Sequence, residues 1–226
     1  MILLLAMLAV DHLSIDVRTR EVIEQQWPDA GTPIPVGSLV KPFIALAYRG
    51  EFPEFTCTGE HCWLARGHGK LRFRNALAVS CNAYFLNLAR EVDHETLAVT
   101  AAKFGIPGPD LDSPEARIGL GTSWKIAPVA LARAYCELVS RSGEPKIAEI
   151  LAGLRIAARS GTAAALGPGV MAKTGTAPCI SQPHDVGDGF TVVIDPADAP
   201  RRVILVRVHG VPGAEAAKSA ARILHK

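Results

Sequence analysis

Two residue types three positions apart carry the first chemical signal in this 226-residue chain: Ser38 and Lys41, within Pro35-Val36-Gly37-Ser38-Leu39-Val40-Lys41-Pro42-Phe43. A serine hydroxyl is a weak nucleophile until a base takes its proton, and a neutral lysine amine can be that base. If the segment opens a helix, the two side chains share a face, about 5–6 Å apart at Cβ. Pro42 restricts where that helix starts, because a proline ring is tolerated only in the first turn. Ser38 then falls at or beside the N-cap, where the positive helix end favours developing negative charge. Two further short signals follow: Ser80-x-Asn82, ahead of a helical pattern, and Lys173-Thr174-Gly175, within a β-rich stretch. A second lysine beside the first would depress the proton affinity of both, which a basic lysine requires.

The elements that must hold these residues can be read in order. Leu13–Val17 alternates, Arg18-Thr19-Arg20 turns, and Glu21–Trp27 continues with β-formers, which predicts an antiparallel hairpin. A Gly/Pro-rich loop from Pro28 to Pro35 delivers the chain to Ser38. The helix from Ser38 to Tyr48, stopped by Gly50, is apolar nearly all round and is expected to be buried. Residues 51–71 read as an irregular loop that could roof a cleft. Helical patterns then cover Ala83–Ala89, Asp93–Phe104, Pro128–Ser140 and Ile147–Ser160. Strands are expected at Val170–Thr176, Gly189–Ile194 and Arg202–Val208, the last two joined by the turn Asp195–Arg201. An Ala-rich helix, Ala214–Leu224, follows. Two strands, helices, three strands and a helix make an α+β chain: one antiparallel sheet flanked by helices, with a helical insertion between N-terminal and C-terminal strands.

Composition narrows the function classes. Lys+Arg number 24 against 22 Asp+Glu, and the basic residues are scattered, which argues against a nucleic-acid footprint. Residues 1–10 form an apolar run too short to span a bilayer, readable as a signal or anchor remnant or as a first strand. Cysteines stand at 57, 62, 81, 136 and 179. Cys57-x4-Cys62 with His61 and His68 lacks a second ligand pair of ordinary zinc spacing, so thiols or one local Cys57–Cys62 disulfide are expected, with no metal and no cofactor. His68, between two glycines, reads as a loop histidine rather than a catalytic base.

Taken together, the motifs resemble those of the penicillin-binding protein transpeptidase family, within the serine β-lactamase and penicillin-binding protein superfamily. Val36–Phe43 resembles the family's first motif and Ala78–Phe85 its second. Gly119-Leu120-Gly121, followed by Pro128 and Ala130, resembles the segment before the third, Lys173-Thr174-Gly175-Thr176-Ala177. The resemblance implies a β-lactamase/transpeptidase-like fold over 13–226, with a sheet part (13–45 plus 165–226) and a helical part (46–164). It implies a penicillin-binding serine acyltransferase, a transpeptidase or DD-carboxypeptidase, acting on peptidoglycan stem peptides ending in D-alanyl-D-alanine, with β-lactams as inhibitors. Ser38 would be the nucleophile, Lys41 its base, Ser80 a proton relay and Lys173 the second amine. Asn82, Thr174, Gly175 and Thr176 would hold substrate, and the Ser38 and Thr176 amides would form an oxyanion hole. An extracytoplasmic location, periplasmic or at the cell surface, secreted or membrane-anchored, goes with that substrate, and a membrane anchor or additional domain outside this chain with the family. Two other classes stay open: a β-lactamase, for which Glu115 is the one acid that can be nominated, and a non-catalytic sensor of β-lactams or wall peptides.

Overall fold

The computed structural model describes residues 10–179 and 186–225; most of the apolar leading run, residues 1–9, lies outside them. Its last residue, Val10, opens the first strand, so Val10-Asp11-His12 is sheet rather than leader. β1 (Val10–Asp16) turns back into β2 (Val22–Gln26), the expected hairpin. A two-residue strand, β3 (Ile34–Pro35), leads into a 3-10 turn, Gly37–Val40, and then α1 (Lys41–Ala47). Ser38 is thus inside a 3-10 turn and not an N-cap: Val36 precedes the turn, Val40 precedes α1, and neither end has a side-chain cap. The helix stops at Tyr48, two residues before Gly50.

The segment expected to be irregular contains a short hairpin, β4 (Phe55–Cys57) with β5 (Gly69–Leu71). The helices α2 (Phe73–Ala78), α3 (Asn82–Ala89) and α4 (His94–Ala102) follow, α4 capped by the Asp93 carboxylate accepting from the Thr96 amide. A single turn, α5 (Pro114–Arg117), interrupts the next loop before β6 (Lys125–Ile126), which pairs with β3. α6 (Pro128–Ser140) and α7 (Pro145–Ser160) both start with proline in the first turn, where a missing amide costs nothing. β7 (Met171–Ala177), β8 (Asp188–Asp195), β9 (Arg202–His209) and α8 (Gly213–Leu224) complete the described chain.

Five strands form one antiparallel sheet in the order β2-β1-β9-β8-β7. The period-2 alternation of its strands fills two cores. Val192, Ile194, Val203 and Leu205 join the larger one, with α1, α3 and α6; Val193, Ile204, Val206 and Val208 join a smaller one under α8, against Ala216, Ala217 and Ala220. β7 is an edge strand, and the 3-10 turn carrying Ser38 packs on it.

Gly37 makes that approach possible. Its φ is +58°, and a Cβ there would lie 2.3 Å from the Thr176 carbonyl oxygen. Behind the same turn, the buried Tyr135 hydroxyl donates to the Leu39 carbonyl at 2.7 Å, and Phe43 packs edge-on against the Tyr135 ring. Gly37→Ala is predicted to destabilise the protein by about 2–4 kcal/mol, combining left-handed strain with backbone overlap. Gly105→Ala, with φ +73° but open space around it, is predicted to cost only about 1–2 kcal/mol. Urea unfolding of the two variants checks the difference, and equal losses would show that the Gly37–Thr176 contact is not tight.

Candidate active site

The three motifs, remote in sequence, meet at one cleft. Ser38 lies at its edge in the 3-10 turn, half-buried; Ser80 and Asn82 come from the α2–α3 junction, and Thr174, Gly175 and Thr176 from β7. The cleft is about 350 Å³ in volume. Beneath it both lysines are fully buried. Lys41 Nζ donates to the Ser80 carbonyl at 2.8 Å, to Ser80 Oγ at 3.3 Å and to Asn82 Oδ1 at 2.6 Å. Lys173 Nζ donates to Ser80 Oγ at 2.8 Å and to the Thr174 carbonyl at 2.7 Å. One hydroxyl, that of Ser80, therefore bridges two amines.

Local rules explain why Ser80 is there. It follows α2 as the residue after the C-cap Val79, with φ +52°. Its amide donates to the Leu77 carbonyl and the Cys81 amide to the Ala76 carbonyl, the paired bonds of a Schellman ending. That position normally takes glycine; a serine there accepts strain of about 1 kcal/mol, as functional sites do. Cys81 is at once the N-cap of α3, so two helices meet within three residues.

The electrostatics follow from burial. Desolvation lowers the Lys41 pKa from 10.5 to about 7, with the nearby Cys81 and Cys62 sulfurs acting weakly in the opposite direction. Lys173 is pushed well below the ordinary lysine value by burial and then by the Lys41 charge. All the hydrogen-bond acceptors of the two amines are neutral, so at least one amine without its proton is the arrangement this cleft favours.

At the far end of the cleft Thr174 Oγ1 donates to Thr162 Oγ1 at 2.6 Å. Thr176 Oγ1 accepts from the Gly213 amide at 2.9 Å, which leaves the Thr176 hydroxyl hydrogen to donate. Sequence reasoning missed Thr162, Pro212, Gly213 and Ala214, all lining the cleft; a threonine after a helix and the start of α8 carry no motif. Leu120, from Gly119-Leu120-Gly121, also lines it, as does Trp63, 56% exposed. Glu115 is exposed on α5 and is not among the cleft residues.

Of the two expected forms, the cysteines take the thiol. No disulfide joins Cys57 to Cys62, and Cys81 and Cys136 are likewise thiols. The sequence reading of no metal ligand set rested on spacing within residues 57–68. In space Cys57, Cys62, His68 and Cys81 converge, their ligand atoms all within 4.8 Å of one another. The missing partner comes from the second motif itself. His68 is thereby placed among sulfurs, with no part in the Ser80–lysine network.

The sequence model described as the penicillin-binding protein transpeptidase domain matches residues 60–226. This chain belongs to the penicillin-binding protein transpeptidase family. No curated protein matches it in sequence. Among solved structures, PBP2 from Helicobacter pylori, in complex with MreC, aligns at TM-score 0.79 and 16% identity, over 96% of this chain and 60% of that one. Pseudomonas aeruginosa PBP2, in complex with WCK 5153, gives 0.78 and 17%, over 96% and 69%. The D,D-transpeptidase domain of a peptidoglycan glycosyltransferase from Eggerthella lenta gives 0.79 and 18%, over 98% and 78%. The fold is therefore that of penicillin-binding protein transpeptidase domains, and the chain spans 60% of the length of the Helicobacter pylori protein.

Burial of the Lys41 amine makes a pH-dependent prediction. Between about pH 7 and 10.5 the unfolded chain keeps the proton that the folded chain has released, so stability rises with pH across that window. Lys41→Met removes the group. Its stability relative to wild type is expected to be most favourable below about pH 7 and to decline steadily towards pH 10. Thermal melts over that range check it; a pH-independent difference would mean that Lys41 stays charged in the folded protein.

Proposed function

We propose that this protein is a penicillin-binding serine acyltransferase acting on D-alanyl-D-alanine stem peptides of peptidoglycan, as a transpeptidase or DD-carboxypeptidase, through an acyl-enzyme at Ser38. The observation that carries the reading is the Ser80 hydroxyl held between two buried, neutral-leaning lysines on the floor of the cleft that Ser38 borders. Lys41, as the free amine, takes the Ser38 proton while Oγ bonds to the substrate carbonyl carbon. The tetrahedral oxyanion is held by the Ser38 and Thr176 amides. When the carbon–nitrogen bond breaks, the proton on Lys41 passes through Ser80 Oγ to the leaving amine. Water or an acceptor amine then releases the acyl group by the reverse sequence.

Substrate positioning fits the same residues. Asn82 spends its carbonyl oxygen on Lys41, which leaves its N–H2 to donate to a substrate amide. An extended peptide can add to the edge of β7. The Thr176 hydroxyl, the Thr174–Thr162 pair and the Lys173 charge suit a terminal carboxylate. Such a substrate lies outside the cytoplasm, and so would the protein. A β-lactamase must hydrolyse its own acyl-enzyme, and Glu115, exposed on α5 away from the cleft residues, is poorly placed to activate that water.

Intact-mass analysis after incubation with a penicillin tests the proposal. A one-to-one adduct stable over hours is expected for wild type and none for Ser38→Ala. Lys41→Ala is expected to slow acylation by about 10²–10⁴-fold, and the wild-type rate should climb through about pH 7 as Lys41 loses its proton. An adduct that decays while drug is consumed would make the protein a β-lactamase; absence of any adduct would end the enzymatic reading.

A further inference from the structure

The convergence of Cys57, Cys62, His68 and Cys81 is not used by the chemistry above. Cys57 ends β4, Cys62 and His68 lie on the loop between β4 and β5, and Cys81 joins α2 to α3. The loop is folded tightly, the Cys62 amide donating to the Gly59 carbonyl at 3.1 Å and the Gly67 amide to the Leu64 carbonyl at 2.8 Å.

Three of the six distances between the ligand atoms have tetrahedral values, and all six are within 4.8 Å. Cys62 Sγ is 3.8 Å from Cys81 Sγ, and His68 Nδ1 is 3.6 Å from Cys57 Sγ and 3.5 Å from Cys62 Sγ. Zinc–sulfur bonds of about 2.3 Å and zinc–nitrogen bonds of about 2.0–2.1 Å at tetrahedral angles require edges of about 3.8 Å between sulfurs and about 3.6 Å between sulfur and nitrogen. A disulfide, by contrast, would need sulfurs about 2.05 Å apart. Cys57 and Cys81 are buried and the other two half-buried, which suits a closed site without an open coordination position.

The geometry points to a structural zinc site, Cys57-Cys62-His68-Cys81, that ties the β4–β5 loop to the second motif. Zinc fixes Cys81, and Cys81 sits between Ser80, which bridges the two lysines, and Asn82, which accepts from Lys41. The same ion holds Trp63, adjacent to Cys62, over the cleft; its indole N–H donates to the Val79 carbonyl at 3.2 Å and its ring meets His68 edge-on. Zinc thus braces the left-handed Ser80 turn through the adjacent Cys81. The metal site stands on its own geometry; its effect on acylation rests on the acyltransferase reading.

Metal analysis of the full chain, purified without chelator, is expected to give about one zinc per chain. Cys57→Ser and Cys62→Ser should each lower zinc affinity at least about tenfold, whereas Cys136→Ser, on α6, should not. Cobalt added to chelator-stripped wild type should give the thiolate charge-transfer band and intense visible bands of a tetrahedral sulfur-rich site. Bound zinc should also shield Cys57, Cys62 and Cys81 from alkylation, with no variant needed. Failure to bind zinc after equilibration, or an octahedral cobalt spectrum, overturns the site. With zinc present, penicillin acylation should be at least about tenfold faster than after stripping, and equal rates overturn the coupling. A loaded protein that is never acylated would remove the acyltransferase reading and leave the metal site standing.

Discussion

Two ammonium-forming side chains inside one hydrophobic domain, joined through a single serine hydroxyl, are the constraint around which this structure is built. Burying an unpaired lysine charge is expensive, and the protein offers Lys41 and Lys173 only neutral acceptors. The compensation is proton release. An amine that has lost its proton is cheaper to bury and chemically more useful, because it can accept a proton. Each major element near the cleft serves that burial. The α1 helix presents Lys41 from its first residue, β7 presents Lys173 from a face closed by the larger core, and the Phe85 ring lies 5.4 Å from Lys41 Nζ. Loosening any of these would admit water and return both amines to their charged, unreactive form.

Much of this was legible in the sequence, for identifiable reasons. Strands β7 to β9 and helix α6 appear where period and turn residues place them, since local patterning and tertiary burial agree there. The three motifs were legible because serine, lysine and asparagine at short spacing are chemically distinctive. The glycine before Ser38 has a plain cause in the contact with Thr176. What escaped was information carried by space rather than by neighbours. Ser38 was expected to cap a helix, but the turn preceding α1 closed as 3-10 instead, with Tyr135 from 96 positions later holding its carbonyl. The β4–β5 hairpin was hidden by strands of three residues, too short to show a period. The cysteine cluster was missed because its fourth member belongs to another motif, and a metal spacing read only along a local segment could not include it.

The junction between α2 and α3 concentrates the demands of the fold. Within three residues it ends one helix, begins another, bridges two lysines through Ser80, orients Asn82 and contributes the Cys81 sulfur. A left-handed serine is the visible sign of that crowding, because glycine would fit the turn better but could bridge nothing. Local preference gives way to chemistry at this position, while Val79 and Ala83 on either side remain ordinary helix-end residues.

The pairing of β1 with β9 has a bearing on how such a protein is made. Along seven residue pairs, from Val10 opposite Val208 to Asp16 opposite Arg202, the earliest described strand completes its hydrogen bonding with the latest. During synthesis the β1–β2 hairpin must wait, one edge bare, until β9 far downstream has emerged, since β9 belongs between β1 and β8. Long-range closure of this kind is slow and exposes unpaired edges while it lasts. The nascent chain therefore carries Ser38, Lys41 and Ser80 for most of its synthesis without owning a cleft. The cleft is assembled late, once β7 and the start of α8 are in place.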